Sequence, residues 1–182
     1  MDADDRRFLL ELARATMVER LGGRPNVSSA RRDLPAEGYG GLFVSLHKDK
    51  QLRGCMGTFS IPGDLARAVE SMSVAVLNDP RFVTMPVTLK DLPELDIEIS
   101  LLSRPEPTDD PLSLEIGRHG IIVERGGHTG CFLPQVGSQF GWTAERLLSE
   151  CCAQKAHLPA DAWKEPQTRV SLFTAEVLSE SP

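Results

Sequence analysis

The segment Leu95-Asp96-Ile97-Glu98-Ile99-Ser100-Leu101 alternates apolar and polar residues without a fault, and only an extended strand turns that order into two distinct faces. Leu95, Ile97, Ile99 and Leu101 are expected to face a core, with Asp96 and Glu98 facing water. A lone strand leaves its backbone groups unpaired, so the chain must supply partners. Two hairpins do so. Residues 41–47 and 51–59 read as strands joined by Lys48-Asp49-Lys50, and residues 120–125 and 128–133 read as strands around Gly126-Gly127. Residues 169–177 read as a closing strand.

Helices interleave with these hairpins. Phe8, Leu9, Leu12, Ala13, Met17 and Leu21 recur at helical spacing over 4–21, behind Asp4-Asp5 and ahead of Gly22-Gly23. Asp64 is placed to cap a second helix that carries Leu65, Ala68, Val69, Met72, Val76 and Leu77, and Thr143 to cap a third over 144–156. Residues 24–40, rich in Pro, Gly, Ser and Arg, read as a loop. The order is not a regular strand–helix repeat, which predicts an α+β fold with a mixed or antiparallel sheet and flanking helices.

The chain of 182 residues is expected to fill one domain. Its net charge of −6 disfavours nucleic-acid binding, whose affinity comes from cations on phosphates. No apolar run reaches membrane length and the first residues lack a signal-peptide core, so the cytoplasm is the expected compartment. The four cysteines, at 55, 131, 151 and 152, form no C-x-x-C pair, and the four histidines show no metal-ligand spacing, so neither a metal nor a cofactor is expected. Glycine-rich phosphate loops and Gly-x-Ser-x-Gly are absent.

Chemistry concentrates in Leu52-Arg53-Gly54-Cys55-Met56-Gly57-Thr58. Strand alternation puts Arg53, Cys55 and Gly57 on one side, and a cation beside a thiol favours the thiolate. The glycines admit a ligand or another backbone closely. Cys55 is therefore either a reactive thiol or a buried, inert one. His119, between Arg118 and Gly120, is either a proton-transfer partner or a turn histidine satisfying local backbone. Asp79-Pro80-Arg81 forms either a structural salt bridge or a reach into a cleft, and Gln135 either offers its amide to a ligand or caps a turn. Cys151 and Cys152 diverge by about 100 degrees if helical, with core filling by at least one favoured, and Cys131 reads as packing.

Taken together, the segments Gly41-Leu-Phe-Val, Leu52-Arg-Gly-Cys-Met-Gly-Thr, Asp79-Pro-Arg-Phe, Leu92-Pro-Glu-Leu-Asp-Ile-Glu-Ile-Ser, Ile116-Gly-Arg-His-Gly and Phe132-Leu-Pro-Gln-Val resemble the AMMECR domain family, whose prokaryotic members are called AmmeMemoRadiSam system protein A. The resemblance runs over most of the chain. It implies a single AMMECR-type domain over 1–182, two-lobed, with a cleft near the Leu-Arg-Gly-Cys-Met-Gly strand. It also implies a Memo-like protein and a radical S-adenosylmethionine enzyme as partners. It implies no reaction. Met56 stands where the family usually has Ile, and His157 where a glycine is common.

Two functions are compatible with these residues. One is an enzyme or enzyme component with Cys55 as reactive thiol, His119 as proton-transfer partner, and Arg53, Gly54, Gly57, Thr58, Arg81 and Gln135 contacting a small or anionic substrate. The other is a non-catalytic ligand-binding or adaptor module acting with those partners.

Overall fold

The computed structural model describes residues 1–25 and 32–180, so part of the loop expected over 24–40, at 26–31, lies outside the described residues. The chain divides into two compact units, Met1–Leu102 with Glu176–Pro182, and Ser103–Ala175.

In the first unit, helix α1 (Ala3–Arg20) begins at Asp2, whose carboxylate accepts the Asp5 N–H at 2.8 Å. It stops at Gly22, which takes the positive φ of +83° that a residue with a Cβ resists. Its buried stripe is Leu9, Leu12, Ala13 and Met17. Strands β1 (Tyr39–Lys48) and β2 (Gln51–Thr58) pair antiparallel across Asp49 and Lys50, both in the left-handed region. The second helix, α2 (Leu65–Val76), starts at Asp64. One oxygen of that carboxylate accepts the Arg67 N–H at 2.9 Å and the other the Leu34 N–H at 2.8 Å, so one side chain caps the helix and ties down a distant segment. Strand β3 (Asp96–Ser103) lies between β1 and β7 (Arg169–Ser179), and β2 forms the outer edge.

The alternation predicted for β3 holds from Leu95 to Ile99, with Leu95, Ile97 and Ile99 buried. It then ends, because Ser100, Leu101 and Leu102 are all buried, so both faces are covered there. Asp96 and Glu98 are half-buried. Leu42, Val44 and Leu46 of β1 meet Val69 and Val76 of α2 and Leu9 and Met17 of α1 in one apolar cluster. Truncating such a residue to Ala costs about 2–5 kcal/mol.

The second unit is built on the first part of β7. Strand β5 (His119–Arg125) pairs antiparallel with it and with β6 (His128–Phe132), while the short β4 (Glu106–Pro107) pairs with β7 at Leu172 and Ser171. A six-residue helix α3 (Pro134–Gln139) precedes α4 (Ala144–Glu150), whose first turn donates the Arg146 N–H to Thr143 Oγ1 at 3.3 Å. The single helix predicted over 144–156 is not continuous. From Cys151 to Lys155 the chain widens into a π turn, closed by His157 at a φ of +55°. Both Cys151 and Cys152 are fully buried, with Ile121, Val123, Leu147, Leu148 and Val170 around them. The core thus takes both successive thiols. The fold is α+β.

Candidate functional site

Cys55 faces Ser45 across the hairpin, and Gly57 faces Phe43. Directly opposed residues share a face, so the half-buried thiol, the Ser45 side chain and the Phe43 ring lie on one side of the β1–β2 ribbon. Phe59 meets Phe43 edge to face, ring centroids 5.3 Å apart.

At the outer edge, the backbone groups of Cys55 point away from β1. Its N–H donates to Asp79 Oδ2 at 2.9 Å, and its C=O accepts from Arg81 Nη2 at 2.9 Å. These two residues are themselves locked. Asp79 Oδ1 accepts the Arg81 N–H and Nε–H at 3.0 Å each, and Oδ2 accepts from Arg81 Nη2 at 2.6 Å. The carboxylate is buried while about half of the Arg81 side chain is exposed. The pair thus does for Cys55 what a neighbouring strand would do, with a side-chain acceptor and donor in place of a backbone C=O and N–H.

The electrostatics follow from this geometry. The Arg81 guanidinium, aided by the Cys55 and Arg81 amides, lowers the Asp79 carboxyl to about 2 against the opposing effect of burial. Arg81 is raised in turn, chiefly by its bond to Asp79, with smaller contributions from the Cys55 side chain. The salt-bridge reading of Asp79-Pro80-Arg81 describes what is observed, and the bridge also holds the signature strand.

Arg53 sits differently. In the β1–β2 register Gly54 opposes Leu46 and Leu52 opposes His47, which leaves Arg53 as an extra residue in a bulge. Its guanidinium donates to the Met85 C=O at 3.3 Å, and its Nε is buried.

The glycines serve packing inside the protein. A Cβ on Gly54 would lie 3.0 Å from both Val76 Cγ2 and the Val76 carbonyl oxygen, and one on Gly57 would run into the Phe43 ring. The room that each leaves is taken by the end of α2 and by an aromatic ring, so neither opens space for a ligand. Thr58 Oγ1 is engaged locally, donating to the Ser60 C=O at 3.0 Å and accepting the Ser60 N–H at 3.1 Å.

His119 and Gln135 belong to the second unit. The His119 imidazole accepts the Glu115 N–H at Nδ1, 3.0 Å, while the His119 backbone N–H donates to the Glu115 C=O at 2.9 Å. Gln135 is half-buried in the first turn of α3. Sequence reasoning missed the hold of Asp79 on Cys55 and the position of Ser45 opposite the thiol. An acid placed just before a proline, where a helix must end, was the available signal for the first.

Comparison with known proteins agrees with this architecture. The AMMECR1 family model matches residues 10–178. The chain belongs to the AMMECR1 family. A protein of Methanothermobacter thermautotrophicus is 38% identical over 99% of this chain and 96% of its own length. One from Pyrococcus furiosus is 37% identical over 95% of this chain and 87% of its own. The crystal structure of an uncharacterised protein from Pyrococcus horikoshii matches with a TM-score of 0.86 at 34% identity, covering 100% of this chain and 94% of that one. Among the described residues no cluster of His, Cys, Asp and Glu could hold a metal ion, and no helix is long and apolar enough to cross a membrane.

Proposed function

We propose that this AMMECR1-family protein is an enzyme, or a component of one, that uses the Cys55 thiol on a small or anionic substrate. The observation that carries the reading is the fixing of Cys55 at both of its backbone groups by the buried Asp79 and the half-exposed Arg81. Packing an inert thiol needs no such device. A nucleophile does, because small displacements of a reacting atom cost large factors in rate. Arg81 has a second use, since its exposed portion can hold an anionic group beside the sulfur. Arg53, at the bulge, is a second cation for the same substrate.

Thiol labelling tests it. In the folded protein at neutral pH, Cys55 should react with iodoacetamide faster than it does in the unfolded chain, and Arg81→Met should remove the advantage. A folded Cys55 that reacts no faster than the unfolded one would sink the reading.

A second reading is that of an adaptor for a Memo-like protein and a radical S-adenosylmethionine enzyme, with Cys55 only packing. It is favoured by the exposed apolar side chains of Val83 and Met85, 69% and 55% accessible, in the segment that follows Arg81. On that reading Cys55→Ser keeps partner capture in a pull-down, whereas Val83→Asp with Met85→Asp abolishes it.

A further inference from the structure

Register fixes which side chains rise together from the second unit's sheet. Glu106 lies opposite Leu172 and His119 opposite Thr174, and Leu172 and Thr174 are two residues apart on β7. All four therefore project from the same face. A strand has two edges, and β5 runs along 169–174 on one of them, so β4 takes the other. Glu106 and His119 consequently stand on opposite sides of the Leu172–Thr174 row. With Arg104 they border a cavity of about 430 Å³, within the range of about 300–1,000 Å³ usual for small-molecule sites.

Each polar group here is left with capacity to bind. The His119 ring accepts the Glu115 N–H at Nδ1, so the neutral ring carries its proton on Nε2 and keeps that N–H as a donor. Arg104 and Glu106 are exposed, and among the described residues neither forms an ion pair, although they lie two residues apart beside one cavity. A cation and a carboxylate that border one space without neutralising each other suit a ligand carrying both charges.

We propose that this cavity binds a short zwitterion with a carboxylate at one end and an ammonium at the other, as in a dipeptide. The carboxylate sits over Thr174, where the Arg104 guanidinium, the His119 Nε2–H and the Thr174 hydroxyl converge, and the ammonium meets Glu106. Leu172 forms the apolar floor between them. Glu106 is one strand spacing and one two-residue step from Thr174, roughly 8 Å in all. Two residues of extended chain span about 7 Å, whereas a single α-amino acid places both charges on one carbon. The proposal is independent of the chemistry at Cys55.

The test is a titration of the isotope-labelled full chain with glycyl-leucine, followed by NMR at Leu172, Thr174 and His119. Saturable shifts at these residues are expected, with weaker binding of free leucine. Arg104→Gln should weaken the dipeptide at least roughly tenfold, as loss of a charge-assisted contact does, and amidating the dipeptide's carboxylate should do the same in the unaltered protein. Acetylating its amine should matter in the unaltered protein and far less in Glu106→Gln, which isolates that pairing. Three outcomes overturn the proposal: no saturable shift at about 20 mM, well past the millimolar range; equal affinity in Arg104→Gln; or free leucine binding as well as the dipeptide.

Discussion

Cys55 and the pair Cys151-Cys152 place the same side chain in opposite surroundings. The strand thiol is half-buried, and its residue is held through the backbone by a carboxylate and a guanidinium. The π-turn thiols are fully buried among Leu, Ile and Val. Burial pushes the Cys151 thiol far up and raises Cys152 as well, so both stay protonated and inert. Two thiols are there to fill volume, and one is held at the surface by a polar network that filling volume would not require.

The comparison breaks most readily at Asp79. Asp79→Ala removes the acceptor for Cys55 and Arg81 together, and urea unfolding should show a loss of about 3 kcal/mol, the scale for breaking a buried ion pair. A loss under about 1 kcal/mol would make the clamp incidental. Cys151→Ser should cost about 2 kcal/mol in the same measurement, since a hydroxyl in that apolar pocket lacks a partner. Acid supplies a milder probe of the strand site. A carboxyl lowered to about 2 in the folded state stabilises the protein above its ordinary value near 4 and loses that contribution as the pH falls towards 2. Roughly 2 kcal/mol should therefore disappear over that window, and Asp79→Asn should lack that part of the acid dependence.

Cys55→Ser should shift stability by less than about 1 kcal/mol, the range for a half-exposed site away from the core, while removing the fastest-labelling thiol seen by mass spectrometry. The smallest effect is expected beside the π turn. His157 holds a left-handed φ of +55°, which disfavours a residue with a Cβ, so His157→Gly should raise the melting temperature slightly, by the equivalent of about 0.5 kcal/mol.

Local signals carried far into this fold. Asp64 and Thr143 cap the helices that their positions announce, and both hairpins turn where a short polar or diglycine link invites it. What stayed illegible depended on pairings between distant segments. Nothing in Arg53-Gly54-Cys55 tells that β2 lies at an edge, and the role of Asp79 exists only because it does. The bulge at Arg53 is a property of the pairing with β1 rather than of β2 alone. The glycines of the signature read as openings for a ligand, but Val76 and Phe43 already fill them. The π turn at Cys151–Lys155 was hidden as well, because nothing in the helical spacing of 144–156 marks where the turn widens.

The outer edge of β2 has one further consequence, for the behaviour of many molecules together. An open strand edge is a template on which another chain's strand can grow. At Cys55 that template is blank, because the amide and carbonyl a newcomer would need are already committed to Asp79 and Arg81. Below about pH 2 the carboxylate lets go, and the same stretch becomes a place where one copy can stitch onto the next.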